Sequence, residues 1–311
     1  MTASPRVSVI MAVHNEERFL AEAVESVLAQ SFSDFELLIS DDGSTDATPA
    51  LARSFADSDP ERVRVLRGEH NQGKPFALNR ALEVRRGELI AWLDGDDVML
   101  PNKLERQVQA LDADRGAAGC SHDAEMFDSD SGRVIGRFSR VANGSPLRSG
   151  GIEMWFDPTY KMLPSATMIR SSLCPAGGFD ERLTFTNDWL FDIEVFRHGR
   201  CIAIDDVLVR YRRHDDNFTT RAERSGVSYE EGLMAMAIVT ARYPQLQRRA
   251  RTVSAAIMLG QARRLAGLRE WRRASRYAAA AYGTGGIAGM LGVSGAMIRS
   301  ARRRMRSGDG S

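Results

Sequence analysis

"VSVIMAVHNEERFLAEAVESVLAQSFSDFELLISDDGSTDAT", residues 7 to 48, reads as strand, helix, strand. Val7 to Val13 is apolar on both faces, as a central parallel strand must be. Phe19, Leu20, Ala23, Val24, Val27 and Leu28 then recur at helical spacing. "DFELLISDD" restores the strand signal. The alternation continues through a helix in "TDATPALARSFA", with Thr45 as its expected cap and Pro49 in its first turns. A strand in "RVRVLRG", a helix in "KPFALNRALEVRR" and a strand in "GELIAWLD" follow. This order predicts an α/β fold, a mostly parallel sheet flanked by helices. Ligands of such sheets bind beyond the carboxyl ends of the strands. Polar residues collect there: His14, Asn15 and Glu16 after the first strand, Asp41 and Asp42 after the second, and Asp94 to Asp97 after the fourth.

The chain has 311 residues, a formal net charge of +1 and 43% hydrophobic residues. That supports one large domain, or one with an appendage, and argues against a general nucleic-acid binder. Cys120, Cys174 and Cys201 have no metal-like or redox-like spacing, which fits a reducing compartment. The first residues read as a buried strand, not as a secretory signal.

No glycine fingerprint for a dinucleotide follows the first strand, and no glycine loop ending in Lys and Ser/Thr is present. A bound phosphate therefore needs another counter-charge. "AWLDGDDVML", residues 91 to 100, packs Asp94, Asp96 and Asp97 around Gly95. A divalent cation, Mn²⁺ or Mg²⁺, relieves the repulsion among such hard oxygen donors and bridges them to a diphosphate. From spacing alone the three carboxylates serve equally well as caps for the helix expected near Pro101.

"VSVIMAVHNEERFLAEAVESVLAQSFSDFELLISDDGSTDAT", "HNQGKPFALNRALEVRRGELIAWLDGDD", "GGFDERLTFTNDW" and "YRRHDDN" follow one another in an order and spacing that resemble a family 2 glycosyltransferase of the GT-A fold. The likeness covers about the first 215 residues. It implies a GT-A catalytic domain over 1–220, with a nucleotide-sugar half at about 1–100 and an acceptor half at about 101–220. It implies a metal motif at Asp94, Asp96 and Asp97, and a base pocket at His14, Asn15, Glu16 and Asp42, where Asp42 can accept a hydrogen bond from the base. Lys74 is then placed to meet phosphate, and Asn79 and Asp94 belong to the same nucleotide-sugar site. The alternative for Lys74 and Asn79 is a solvated helix start. The implied reaction is an inverting displacement on a nucleoside-diphosphate-sugar. Asp188 of "TNDWL" is the implied catalytic base, although Asn187 stands where the family often has Glu. The alternative for Asp188 is a helix cap. Gly177, Gly178 and Trp189 are expected on the acceptor side, with Trp189 equally suited to the core. Arg212 and His214 are expected to reach the diphosphate or the metal.

Beyond about residue 220 the likeness fades. "SYEEGLMAMAIVTARY", "LQRRARTVSAAIMLGQARRLAG" and "REWRRASRYAAAAY" predict a helical extension over 221–282, followed by a Gly-rich and basic tail over 283–311. The uncharged stretch 277–298 and the arginines after it suggest contact with an anionic membrane surface, the enzyme staying cytoplasmic; a flexible linker is the alternative. No aromatic residues interleave the "RRRMR" run, so RNA is not expected. The expected partners are a nucleoside-diphosphate-sugar donor and a saccharide or lipid-linked acceptor, in surface polysaccharide or glycolipid assembly. The competing class is a non-catalytic sugar-nucleotide-binding or scaffold protein of the same fold. Such a chain would be expected to lose the acidic residues that this one keeps at Asp42, Asp94, Asp96, Asp97 and Asp188. A nucleotidyltransferase would need a Gly-rich, Arg-containing loop after the first strand, and there is none.

Overall fold

The computed structural model describes residues 4–157, 160–215, 217 and 225–284. Strands β1 (Val7–Val13), β2 (Phe35–Asp41), β3 (Val63–Arg67) and β4 (Leu89–Trp92) pair in the order β3-β2-β1-β4, all parallel. Every residue of β2 and β4 is buried, as strands sandwiched between helices must be. Helices α1 (Leu20–Leu28), α2 (Thr48–Ser58) and α3 (Lys74–Val84) make the crossovers. The ladder pairs Val13 with Asp41, so the carboxyl ends of β1 and β2 lie level.

The alternation then breaks. The chain continues through β5 (Val98–Met99), α4 (Lys103–Ala113), β6 (Ala117–Asp128), β7 (Val134–Arg137), α5 (Phe138–Asn143), β8 (Thr167–Arg170), α6 (Asn187–Phe196) and β9 (Arg200–Arg213). These strands extend the sheet as β4-β8-β6-β9-β5, with β7 on β6. Here β8 runs antiparallel to both neighbours and only β6 and β9 are parallel. The sequence shows no readable code over Ser121 to Met162, yet Ser121 to Asp128 completes a central strand. The period-2 signal is masked because Ser121, His122 and Asp123 are buried polar residues. Asp123 is satisfied there by Ser139, whose Oγ donates to it at 2.6 Å and whose backbone N–H donates at 3.0 Å.

One expected cap is corrected. Helix α2 starts at Thr48, and Asp46 Oδ1 accepts the Thr48 N–H at 2.9 Å. Thr45 donates its own N–H to Asn15 Oδ1 instead.

The chain divides into two compact units, one of residues 1–141, 145–152 and 162–214, the other of 142–144, 153–161 and 215–311. The second contains α7 (Val227–Arg242), α8 (Gln247–Gly267) and a last helix, α9 (271–284). Helices α7 and α8, separated by Pro244, pack against one another. Among the described residues no helix is long and apolar enough to cross a membrane. The expected tail falls outside the described residues from 285 onward.

Candidate functional site

After β4 the chain turns sharply, with the Asp97 N–H donating to the Asp94 carbonyl at 3.1 Å. Only glycine fits inside this turn. A Cβ on Gly95 would lie 2.8 Å from Val13 Cγ1 and 3.3 Å from Glu16 Cγ, so the spacing of the aspartates is set by packing against the end of β1. Asp94, Asp96 and Asp97 each present an oxygen within 4.8 Å of the others. The capping alternative fails, because α4 begins at Lys103 with Asn102 as its N-cap.

The cluster is electrostatically costly as it stands. Burial, then the charges of Asp96 and Asp94, push the Asp97 carboxyl well above the usual range. Burial and the same two neighbours push Glu16 up to about 8. Asp97 Oδ1 accepts the Arg212 N–H at 3.1 Å, while Oδ2 is buried without a hydrogen-bond partner. An enclosed, unpartnered carboxylate oxygen beside two further carboxylates is the donor set of a hard divalent cation, so these residues fit Mg²⁺ or Mn²⁺.

Lys74, the first residue of α3, donates from Nζ to Asp94 Oδ1 at 2.6 Å. Burial disfavours its charge, but Asp94, Asp188 and Asp96 outweigh that and hold its pKa above the ordinary value. Asp188 lies in the first turn of α6, whose N-cap is Thr186, so Asp188 is not the cap. Its Oδ1 accepts the Trp189 N–H at 2.7 Å. Burial raises the Asp188 carboxyl, opposed mainly by Lys74 and reinforced by Asp94. Asp94, Lys74 and Asp188 thus form one alternating row of charge. Trp189 is half-buried beside it.

The end of β9 closes the site from the opposite side. His214 Nε2 lies 3.0 Å from Asp96 Oδ2, and its ring packs 5.0 Å from that of Phe19. Arg212 lies near the end of the same strand. Its Nε donates to the Asp96 carbonyl at 2.8 Å, its guanidinium pairs with Glu22, and it lies 4.7 Å from the ring centres of both Phe19 and Phe127. Held this way, Arg212 braces the acidic turn.

Asp42 directly follows β2. It is buried, and its carboxylate accepts the Gln72 N–H at 3.1 Å and the Gly73 N–H at 2.6 Å. It therefore fastens the loop that leads into Lys74. His14 Nδ1 meets the Asp42 carbonyl at 2.9 Å, and Asn15, with φ 56°, receives the Thr45 N–H on Oδ1. These contacts lock the ends of β1 and β2 together and leave Asn15 exposed. Asn79 lies on α3. Its side-chain amide binds the backbone of Phe179, and Gly178 beside it adopts φ +64°. Gly177 is exposed.

Sequence reasoning passed over Ser165, whose Oγ accepts the Asp94 N–H at 3.1 Å, and Glu22, the partner of Arg212. Glu22 sits on the polar side of an amphipathic helix, where a carboxylate signals nothing. Ser165 reaches the site only through the strand order that brings β8 beside β4.

The sequence profile described as Glycosyl transferase family 2 matches residues 8–173. A protein of Bacillus subtilis named putative glycosyltransferase EpsE is 31% identical over 229 residues, covering 71% of this chain and 78% of that one. An Escherichia coli protein, named UDP-Glc:alpha-D-GlcNAc-diphosphoundecaprenol beta-1,3-glucosyltransferase WfgD, is 39% identical over 105 residues, covering 34% of this chain and 40% of its own. Among solved structures, the mannosyltransferase PcManGT of Pyrobaculum calidifontis, in complex with GDP-Man and Mn²⁺, superposes with a TM-score of 0.62 at 20% identity, over 98% of this chain and 83% of that one. That likeness, in the GT-A class, concerns the fold.

Proposed function

From the premise that the chain belongs to glycosyl transferase family 2 and is a glycosyltransferase, we propose that it is metal-dependent and inverting, transferring a sugar from a nucleoside-diphosphate-sugar to an acceptor hydroxyl. The observation that carries this reading is the row Asp94, Lys74, Asp188, which joins a cation-type carboxylate cluster to a second, raised carboxylate through one ammonium.

Asp94, Asp96 and Asp97 would hold a divalent cation, which would supply charge neutralisation for the leaving diphosphate. Lys74 adds a fixed positive charge at the same edge and orients phosphate oxygens. His214 and the backbone bonds of Arg212 hold Asp96 and Asp97 in place, which limits reorganisation during reaction. Asp188 accepts the proton of the acceptor hydroxyl as its oxygen bonds to the anomeric carbon. The bond from that carbon to the diphosphate oxygen breaks in the same displacement, inverting the centre. A carboxylate whose pKa is raised by burial is a stronger base than an exposed one. The charge of Lys74 opposes that rise.

The donor and acceptor classes are proposed with help from the relatives. PcManGT is named with GDP-Man, and WfgD is named for a UDP-sugar and a diphosphoundecaprenol acceptor. A saccharide or lipid-linked acceptor at the cytoplasmic face of a membrane follows for this chain, in the assembly of a surface polysaccharide or glycolipid. The test is a screen of UDP- and GDP-sugars with Mn²⁺ or Mg²⁺, reading thermal stabilisation and nucleoside diphosphate release. At least one nucleotide should stabilise the protein only with metal, and chelator should abolish both signals. Metal-independent release, or no nucleotide response at all, would overturn the proposal.

A further inference from the structure

Asn79 projects from α3 onto the loop before α6. Its Nδ2 donates to the Phe179 carbonyl at 3.0 Å, and its Oδ1 accepts the Phe179 N–H at 2.7 Å. The side-chain amide thus pairs with both backbone groups of one residue a hundred positions away. Nδ2 also donates to Glu181 Oε1 at 3.0 Å. With two donors and a carbonyl oxygen available, a third partner for Nδ2 would have to displace one of these. The fit demands glycine next door, since a Cβ on Gly178 would lie 2.2 Å from Asn79 Oδ1. The left-handed φ of +64° at Gly178 asks for the same residue.

Phe179 passes this restraint onward. It is buried, and its ring stacks on Phe191 with centres 4.0 Å apart and planes 10° from parallel. Trp92, the last residue of β4, packs edge-on against both rings, at 5.5 and 5.8 Å. Phe191 lies on α6 three positions after Asp188, on the same helix face. Trp92 lies two positions before Asp94. The aromatic trio therefore spans the gap between the acidic turn and the first turn of α6, and Asn79 clamps its third member. Lys74 starts the helix that carries Asn79, so α3 touches the Asp94 and Asp188 sides through two different side chains.

We propose that Asn79 is a positioning residue of the acceptor side, setting the Gly177–Glu181 loop and the placement of Asp188 through the Phe179–Phe191 stack, and is not a ligand of the nucleotide-sugar. The inference rests on the reading of Asp188 as the base, but its first test does not. Backbone hydrogen exchange of Asn79→Ala, measured on the full chain, should show exchange across 177–192 at least tenfold faster, with β1 and β2 unchanged. Asn79→Asp retains the acceptor for the Phe179 N–H but places a carboxylate against Glu181 and the Phe179 carbonyl; its effect should be intermediate and reduced by adding Glu181→Gln. Binding of UDP and GDP with Mn²⁺ should stay within threefold of the unmodified chain in Asn79→Ala. With whichever nucleotide-sugar the screen identifies, donor KM should hold while kcat for transfer falls at least tenfold, and the ratio of donor hydrolysis to transfer should rise. A tenfold loss of metal-dependent nucleotide binding with unchanged exchange at 177–192 would make Asn79 a donor ligand and overturn the proposal. Unchanged exchange with unchanged kinetics would overturn it too. If the unmodified chain binds neither nucleotide, the proposed function fails while the exchange result still decides the role of Asn79 as a clamp.

Discussion

Lys74 Nζ lies 2.6 Å from Asp94 Oδ1, and the same ammonium is the main charge opposing the rise of the Asp188 carboxyl. One cation therefore serves two carboxylates with different roles. Lys74→Met keeps the stem and removes the charge. Asp188 then loses the neighbour that lowers its pKa, so its carboxyl moves further up. A base must be ionised, and the acid limb of the kcat/KM profile should move to higher pH. Nucleotide affinity should fall at least tenfold, and an unmoved acid limb would separate Lys74 from the base.

The cation site carries its own pH signature. With Glu16 raised to about 8 by burial and by the carboxylates around it, the cation-free protein is protonated there at neutral pH. A folded pKa above the unfolded value of 4.5 means that this contribution to stability is full below 4.5 and is lost as pH rises through about 8. A cation competes with that proton. Mn²⁺ affinity should rise between pH 6 and 9 with release of protons from Glu16 and Asp97, measured by calorimetry in buffers of differing ionisation enthalpy. Glu16→Gln should reduce the dependence and the number of protons released. Asp96→Asn should abolish metal-dependent nucleotide binding with little loss of fold, and full transfer activity in excess chelator would end the metal reading.

Asp188→Asn tests the base itself. The amide preserves size and the bond from the Trp189 N–H, but it cannot accept a proton. Donor affinity should hold within a few fold while turnover drops by about 10² or more. NMR of the product should show the inverted anomer; retained configuration would contradict a single displacement.

The parallel half of the fold and the acidic turn were legible because their signals are local. Continuous apolar strands, helical spacing and Gly95 between aspartates can each be read within ten residues. The second half was less so, since β6 hides buried Ser121, His122 and Asp123 inside a strand whose partners come from β8 and β9. The same limit governs the site. The resemblance grouped Asp94, Lys74 and Asp188 in one site. It could not tell that Asp42, Asn79 and Arg212 spend their polar groups on backbone, because a side chain's partner depends on which loops the fold brings beside it.

Lys103 illustrates a cost inside that fold. It is fully buried at the start of α4 with Nζ lacking a hydrogen-bond partner. Burial lowers its pKa from 10.5 to about 7, opposed by Cys120 and Asp97. For a lysine depressed on folding, the contribution is present above the unfolded pKa and lost as pH falls through the folded one, so stability should decline from about pH 10 toward 7. Lys103→Met fills similar space without the charge. Its Tm should exceed that of the unmodified chain at pH 6 by more than at pH 9, by the equivalent of a few kcal/mol at most. A lower Tm at pH 6 would show that the ammonium is needed to balance Asp97.

Charge is unevenly distributed along the chain, with 25 Lys and Arg against 34 Asp and Glu over residues 1–214, but 17 against 7 over residues 215–311. Within α9, Trp271 is 65% exposed and Tyr282 is 54% exposed. Eleven positions at about 100° each bring them to one face of the helix. Arg272 and Arg276 are exposed on the same helix, an arrangement of aromatic and basic side chains suited to a headgroup layer. From Tyr277, within that helix, the sequence runs uncharged to Ile298 and then places Arg299, Arg302, Arg303, Arg304 and Arg306 within eight residues. Each basic residue near an anionic surface contributes roughly 1 kcal/mol, screened within a Debye length. The full chain should therefore sediment with vesicles containing anionic lipid, and not with neutral ones, with binding weakened by salt. Trp271→Ala should weaken binding several-fold, and removing residues 285–311 should weaken it at least tenfold while transfer to a soluble acceptor persists. Salt-resistant association released only by detergent would indicate insertion across the bilayer. Absence of vesicle binding by the full chain would leave the basic segment as a linker.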